Sequence, residues 1–118
     1  KPFLLVLWSV DCLPCHKELA ILEQYVKLNP TLKIVLISTD SYHNTKEVDN
    51  MLIDSELASQ ELWIFSKTPA NQLRYTIDPG WYGELPRAYF FNSAHKRTAK
   101  SGRLDIDAIK DFFQPATN

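Results

Sequence analysis

The chain contains little cysteine, with only two such residues among 118. Two cysteines are too few for the disulfide framework of a small secreted scaffold. There is also no excess of one charge, since 13 Lys and Arg oppose 14 Asp and Glu for a net charge of −1. This balance gives no reason to expect nucleic acid or an anionic membrane as a partner. The longest apolar run, Phe3 to Trp8, is far too short to span a bilayer.

What is present is the composition of one ordinary globular domain. Hydrophobic residues make up 45% of the chain and charged residues 23%, and 118 residues are enough to bury a real core. No internal repeat, low-complexity stretch or linker divides the sequence, so we expect a single domain over residues 1–118. Because the first residue is Lys1 rather than Met, we expect an upstream segment: a signal peptide, a membrane anchor or another domain.

Hydrophobic patterning predicts alternating strands and helices. Strands are expected at 3–10, 33–39, 62–65, 87–92 and 97–101, and helices at 13–28, 45–59 and from Thr68-Pro69 to about 75, with a last helix capped by Asp105. In the first helix, Leu19, Leu22 and Val26 form an apolar stripe flanked by Tyr25 and Leu28. The order β-α-β-α-β-α-β-β-α predicts an α/β sandwich with an antiparallel edge.

Both cysteines lie in the motif Cys12-Leu13-Pro14-Cys15, between the first predicted strand and the first predicted helix. Unpaired N–H groups and the positive end of the dipole at a helix N-terminus favour a thiolate, the nucleophile of thiol–disulfide exchange. Such thiols have pKa values of roughly 3.5–7.5. Cys12, at the helix start, is expected to be the exposed attacking thiol, and Cys15, one turn inward, the resolving thiol. The spacing therefore predicts a redox-active pair.

Three segments of the chain match one family pattern. Residues 7–18 read LWSVDCLPCHKE, residues 84–92 read ELPRAYFFN, and a helix and strand are inserted between residues 40 and 66. Together they resemble the TlpA/ResA/CcmG-type branch of extracytoplasmic thiol–disulfide oxidoreductases in the thioredoxin superfamily, over essentially the whole chain. The resemblance implies a thioredoxin-like three-layer α/β sandwich, in which a central mixed β-sheet is flanked by helices and carries the inserted αβ element.

The resemblance also implies site residues beyond the two cysteines. Glu18 corresponds to an acid that lies near the cysteine pair and assists proton transfer. The Leu85–Pro86 bond is expected to be cis and to face the C-x-x-C motif, where the backbone of Leu85 would pair with an extended substrate strand. Trp8, just before the motif, is expected beside the active site as a further substrate contact.

Two positions near the predicted site depart from the family pattern. Asp11 stands where the family usually has Trp, and an acid there is expected to raise the pKa of the thiol by like-charge repulsion. Arg87 follows Pro86, where Thr is usual. These departures leave the fold prediction intact and bear on the choice of electron donor and substrate.

The sequence therefore predicts a thiol–disulfide oxidoreductase that reduces or exchanges disulfides in partner proteins, without a cofactor or a metal ion. The resemblance implies an extracytoplasmic location, either periplasmic or membrane-anchored through an upstream segment. It also implies a disulfide-containing protein substrate, including apocytochromes c before haem attachment, and a thiol reductase as the electron donor. A monomer is expected.

Two alternative interpretations stay open. The first is a redox-silent thioredoxin-like interaction module, which an insulin-reduction assay would separate from an enzyme. The second arises because residues 12–16 also satisfy C-x-x-C-H, the attachment pattern of c-type haem. A haem would need a large apolar pocket and a second axial ligand, for which Met51, His43 and His95 are the candidates.

Overall fold

Five strands and four helices alternate along the part of the chain that the computed structural model describes, residues 1–66 and 69–113. In chain order they are β1 (Phe3–Trp8), α1 (Leu13–Leu28), β2 (Ile34–Ser38), α2 (Thr45–Leu52), β3 (Glu61–Ile64), α3 (Ala70–Ile77), β4 (Arg87–Phe91), β5 (Arg97–Ser101) and α4 (Ile106–Phe113). Two short 3-10 turns, Tyr42–Asn44 and Glu56–Ser59, flank α2. The predicted order of elements is confirmed.

The strands form one mixed sheet in the order β3-β2-β1-β4-β5. β1 pairs with β2, and β2 with β3, in parallel, which requires the crossover helices α1 and α2. β4 runs antiparallel to β1, and β5 antiparallel to β4. In the β1–β4 pair Leu7 lies opposite Arg87, so the carboxyl end of β1 and the amino end of β4 meet at one edge of the sheet.

Helices cover both faces of this sheet, which gives three layers. Because side chains alternate along a strand, Leu4 and Val6 of β1 face one core cluster, which also contains Leu22 of α1 and Ile109 of α4. Leu7 faces the opposite cluster, against which side chains of α3 pack. Fully burying one such aliphatic side chain contributes roughly 1.5–3 kcal/mol, so these two clusters are the main source of stability. Within residues 1–66 and 69–113, no helix has both the length and the apolar character needed to cross a membrane.

β1 and α2 are both shorter than the sequence predicts, for local reasons. β1 ends at Trp8 rather than at residue 10, because the N–H of Val10 donates to the carboxylate of Asp40 rather than to a neighbouring strand. The helix predicted over residues 45–59 ends at Leu52, and Leu57 is buried from a separate 3-10 turn. Val48 and Leu52 are buried from α2 and Leu57 from the 3-10 turn, so the buried positions of this segment belong to two elements.

Helix α3 begins later and runs further than the sequence indicates. It spans Ala70–Ile77, and Pro69 precedes its first residue. The predicted start at Thr68 lies outside the described residues, and the predicted end near residue 75 falls two residues short. This helix places Leu73 and Ile77 against the cluster that contains Leu7.

Candidate active site

The two cysteines form a disulfide across the first turn of α1, with their Cα atoms 5.2 Å apart. Cys12 is the N-cap residue in extended conformation, and its Sγ accepts a hydrogen bond from the backbone N–H of Cys15 at 3.2 Å. Pro14 lies in the first helical turn, where its missing N–H leaves no gap in the hydrogen-bonding pattern. Cys12 is half-buried, Cys15 is fully buried, and Leu13 between them is 70% exposed. Cys12 is therefore the more exposed of the two cysteines.

Glu18 lies one helical turn beyond Cys15, on the same face of α1, and none of its surface is exposed. Its Oε1 accepts a hydrogen bond from the backbone N–H of Leu104 at 3.1 Å. Its Oε2 has no hydrogen-bonding partner among the residues that the structure describes. Burial raises the pKa of Glu18 to about 7, against the opposing effects of the Leu104 hydrogen bond and the charge of Arg103. A carboxyl group of this kind exchanges its proton near neutral pH.

The Leu85–Pro86 segment lies at the same edge of the sheet as the cysteine motif, because β4 begins opposite the end of β1. The peptide bond between these residues is cis, as the resemblance implies. Pro86 is buried, and its carbonyl accepts a hydrogen bond from the N–H of Gly102 at 2.9 Å. Leu85 is half-buried and packs against both core clusters. The pairing of β1 with β4 thus brings two distant predicted parts of the site to one edge.

Arg87, immediately after this segment, is the centre of a polar network. Its guanidinium donates to Asp78 Oδ2 at 3.1 Å, to Ser101 Oγ at 2.7 Å and to the hydroxyl of Tyr89 at 3.1 Å. Ser101 in turn donates to Glu84 Oε2 at 2.7 Å. Hydrogen bonds to the carboxylate, the largest from Tyr89, hold the pKa of Asp78 below its usual range. The network fastens both sides of the Leu85–Pro86 segment to the sheet.

The aromatic residues around the site differ sharply in exposure. Trp8 is only 1% exposed and belongs to the core cluster of α1, so its burial favours a structural role over direct contact with substrate. Trp81 is 3% exposed, and its indole N–H donates to the carbonyl of Glu84 at 2.8 Å. Tyr82, next to it, is 85% exposed. Of these three residues, Tyr82 is the one that offers an aromatic surface to a partner.

The loop between β1 and Cys12 has two side-chain contacts that sequence reasoning missed. Asp40 Oδ2 accepts hydrogen bonds from the N–H of Val10 at 3.0 Å and from the hydroxyl of Ser38 at 2.6 Å. The Nε2 atom of His16 lies 2.6 Å from the carbonyl oxygen of Val10. The available signal for Asp40 was its place just after β2, the parallel neighbour of β1. The available signal for His16 was its place directly after Cys15 in the C-x-x-C-H pattern.

No protein-family model matches the sequence, and no curated protein is similar to it in sequence. Solved structures match it over nearly its whole length. StoA from Bacillus subtilis superposes with a TM-score of 0.68 and 16% identity, over 97% of this chain and 83% of that one. A secreted Mycobacterium tuberculosis disulfide oxidoreductase homologous to E. coli DsbE gives a TM-score of 0.71 and 16% identity, over 95% and 79%.

A third match is Etrx1, an exposed lipoprotein thioredoxin of Streptococcus pneumoniae, with a TM-score of 0.67 and 18% identity, over 94% of this chain and 82% of that one. The chain has a thioredoxin-like fold. The predicted fold class is therefore confirmed: a mixed five-stranded sheet lies between helices and carries a C-x-x-C pair at the start of α1. At this level of identity the likeness concerns architecture, and the chemistry has to be argued from the residues of this chain.

Proposed function

We propose that this protein is a thiol–disulfide oxidoreductase that acts on disulfides of partner proteins through Cys12 and Cys15. The observation that supports this most directly is the disulfide across the first turn of α1, in which one sulfur belongs to a half-exposed residue and the other to a fully buried one. The solved structures that share the fold include a disulfide oxidoreductase, and their shared architecture is consistent with the same use of the pair.

The reaction follows from the difference between the two sulfurs. In the reduced protein the Cys12 thiolate attacks one sulfur of a substrate disulfide, forms a mixed disulfide and expels the other substrate sulfur as a thiolate. The Cys15 thiolate then attacks the Sγ of Cys12, which closes the Cys12–Cys15 disulfide and releases the second substrate thiol. Two electrons pass to the substrate. A dithiol reductase returns the pair to its reduced form by the same exchange.

Glu18 is proposed as the proton acceptor for Cys15. A buried thiol must lose its proton before it can attack, and burial of Cys15 leaves little access for water. Glu18 is buried one turn away on the same helix face, has an unpaired carboxylate oxygen among the described residues, and has a pKa of about 7. It can therefore take up a proton near neutral pH and release it again.

The Leu85–Pro86 segment is proposed as the docking edge for the substrate chain. It lies beside the end of β1, where the cysteine loop begins, and the network around Arg87 holds it in place. An extended substrate segment would pair with the backbone of Leu85, which gives affinity with little dependence on side-chain sequence. Trp8 remains a predicted substrate contact, although its burial favours a structural role in the core.

The partners and location are proposed from the chemistry and from the structural neighbours. The substrate is a protein disulfide, the electron donor is a thiol reductase, and the resemblance favours apocytochromes c among the substrates. One neighbour is described as secreted and another as an exposed lipoprotein, which supports an extracytoplasmic location for this chain. The protein is proposed to act as a monomer.

Insulin reduction with dithiothreitol tests the proposed activity. The wild-type protein should accelerate it, Cys12→Ser should abolish the acceleration, and Cys15→Ser should accumulate a mixed disulfide that non-reducing electrophoresis detects. Ser93→Ala, in an exposed turn, is the matched control and should retain full activity. Turnover by Cys12→Ser, or alkylation of Cys15 before Cys12 in the reduced protein, would contradict the assignment of roles.

The same assay separates the alternatives. A redox-silent module would show no acceleration by the wild-type protein. The C-x-x-C-H interpretation gains no support from the structure, since the two cysteines are bonded to each other and the His16 ring is bonded to the carbonyl of Val10.

A further inference from the structure

Val10 lies two residues before Cys12, and both of its backbone polar groups bond to side chains from other elements. Its N–H donates to Asp40 Oδ2, and its carbonyl accepts from the ring of His16, because a carbonyl oxygen can only accept. Asp40 comes from the segment after β2, whereas His16 comes from α1. We call this arrangement, made of Asp40, Ser38 and His16, the Val10 clamp.

The clamp begins where the pairing of β1 with β2 ends. The last backbone bond between the two strands is from the N–H of Thr39 to the carbonyl of Trp8, at 2.8 Å. Beyond it, the chain turns out of the sheet towards α1, and Asp40 bonds to the N–H of Val10. The buried hydroxyl of Ser38 donates to the same Asp40 oxygen and accepts from the N–H of Asp40, at 2.6 and 3.0 Å, which fixes the carboxylate.

The clamp is connected to Cys12 by short steps. The N–H of Cys12 donates to the carbonyl of Ser9 at 3.2 Å, so the turn that contains Val10 ends at the attacking cysteine. On the other side, the N–H of His16 donates to the carbonyl of Cys12 at 3.3 Å. His16 therefore contacts the backbone both of Cys12 and of the loop before it. A shift of this loop would move Cys12 relative to the N–H groups of α1 and to the segment around Leu85.

We propose that His16 and Asp40 are positioning residues for Cys12: by fixing Val10 from two sides, they hold the attacking sulfur at the helix N-terminus in the geometry needed for exchange. The proposal rests on the proposed function and adds two residues to the site. A displacement of about 1 Å at a reacting group can lower a rate by up to about a hundredfold, so hydrogen bonds two residues away have a measurable effect. Neither residue touches the substrate in this proposal.

The experiment uses paired substitutions that remove or retain the hydrogen bond. His16→Leu removes the ring donor, whereas His16→Gln keeps an N–H donor without a titratable ring. Asp40→Leu removes the acceptor, whereas Asp40→Asn keeps one. His43→Leu, an exposed histidine in the 3-10 turn before α2, is the matched control. All are compared with the wild-type protein in insulin reduction.

A second measurement isolates Cys12. In the Cys15→Ser background Cys12 is the sole thiol, and its alkylation by iodoacetamide is followed as a function of pH. We expect both Leu variants to lower kcat/KM for insulin by about tenfold and to move the alkylation profile to higher pH, because Cys12 loses its place at the helix terminus. The Gln and Asn variants should restore both quantities to within about threefold of the wild-type values.

The outcomes are distinguishable. Leu variants that match the wild-type protein in both measurements overturn the proposal. A His16→Gln variant that behaves like His16→Leu also overturns it, since an N–H donor at this position would then not account for the effect. If Asp40→Leu fails to fold, the comparison of His16→Leu with His16→Gln tests the proposal by itself. If the wild-type protein does not reduce insulin, the proposed function fails, while the alkylation profiles still report whether the clamp positions Cys12.

Discussion

Glu18 has a carboxyl group with no exposed surface, so the free energy of its charged form depends on folding. Its pKa is about 7 in the folded protein, against an ordinary value of 4.5. Below pH 4.5 the group is protonated in both states. Between pH 4.5 and 7 the folded state holds a proton that the unfolded state has released, so the free energy of unfolding falls as pH rises. The loss is complete above pH 7.

Replacing this group removes that pH dependence. The shift corresponds to about 3 kcal/mol of stability lost by the wild-type protein between pH 4.5 and pH 8. Glu18→Gln in the oxidised protein should lack this loss. The free energy of unfolding of the variant should therefore rise relative to that of the wild-type protein as pH increases. Urea unfolding of both proteins at several pH values measures it.

A matched substitution at the surface gives the control. Glu47→Gln, at an exposed carboxyl on α2, is the control for the loss of one surface carboxylate. Equal pH slopes for Glu18→Gln and the wild-type protein would show that Glu18 titrates in the folded protein as it does in water.

The burial of Glu18 could not be predicted from the sequence, although the family resemblance indicated that this residue belongs to the site. Its position beside Leu19 and Leu22 is compatible with a buried face, but a glutamate there is usually exposed. What encloses it is in part the segment at Leu104, which lies 86 residues further along the chain. Asp40 was missed for the same reason, because its partner Val10 comes from another element.

At the scale of the element, α1 shows how much of a helix the hydrophobic periodicity predicts. Its predicted limits, residues 13 and 28, are those of the structure, because Cys12 caps the helix and Asn29-Pro30 ends it. The apolar stripe is also correct, except that Leu28, expected at its flank, is 81% exposed. Tyr25 and Val26 of the same last turn are buried, whereas Leu28 lies about 120° around the helix from Leu22, at about 100° per residue. Leu28 therefore lies off the buried face, although the turn that contains it is packed.

Two leucines of this helix provide a matched stability test. Leu22 is completely buried against the sheet, so Leu22→Ala should lower the free energy of unfolding by about 2–5 kcal/mol through lost burial and a cavity. Leu28→Ala should change it by less than about 0.5 kcal/mol. Chemical unfolding of the oxidised proteins measures both. Similar losses at the two positions would mean that the side chain of Leu28 is covered in solution.

At the scale of the whole molecule, the network around Arg87 joins the end of α3 to β4 and β5. Asp78 is the C-cap residue of α3, Arg87 opens β4, and Ser101 closes β5. Arg97 of β5 adds a second contact to Asp78 at 3.7 Å. The Leu85–Pro86 segment lies between the residues of this network, so the network determines the position of the proposed docking edge.

Arg87→Met should therefore separate docking from thiol chemistry. It removes three hydrogen bonds that hold the segment, so we expect a rise in KM and a fall in kcat/KM for insulin of about tenfold. The rate of Cys12 alkylation by iodoacetamide should stay at the wild-type value, because α1 is untouched. Lys96→Met, at an exposed position between β4 and β5, serves as the control. A changed alkylation rate in Arg87→Met would show that the two parts of the site are not independent.

The pairing of Leu7 with Arg87 joins positions eighty residues apart in the chain. A peptide with residues 3–28 would contain both thiols and the sequence of α1, but it would lack Asp40, Leu104 and the Leu85–Pro86 segment. Contacts between such distant positions form late when they depend on closing long loops. During refolding, reduction of protein disulfides should consequently recover only after β1 and β4 have met, which makes this activity a reporter of the assembly of the whole sheet.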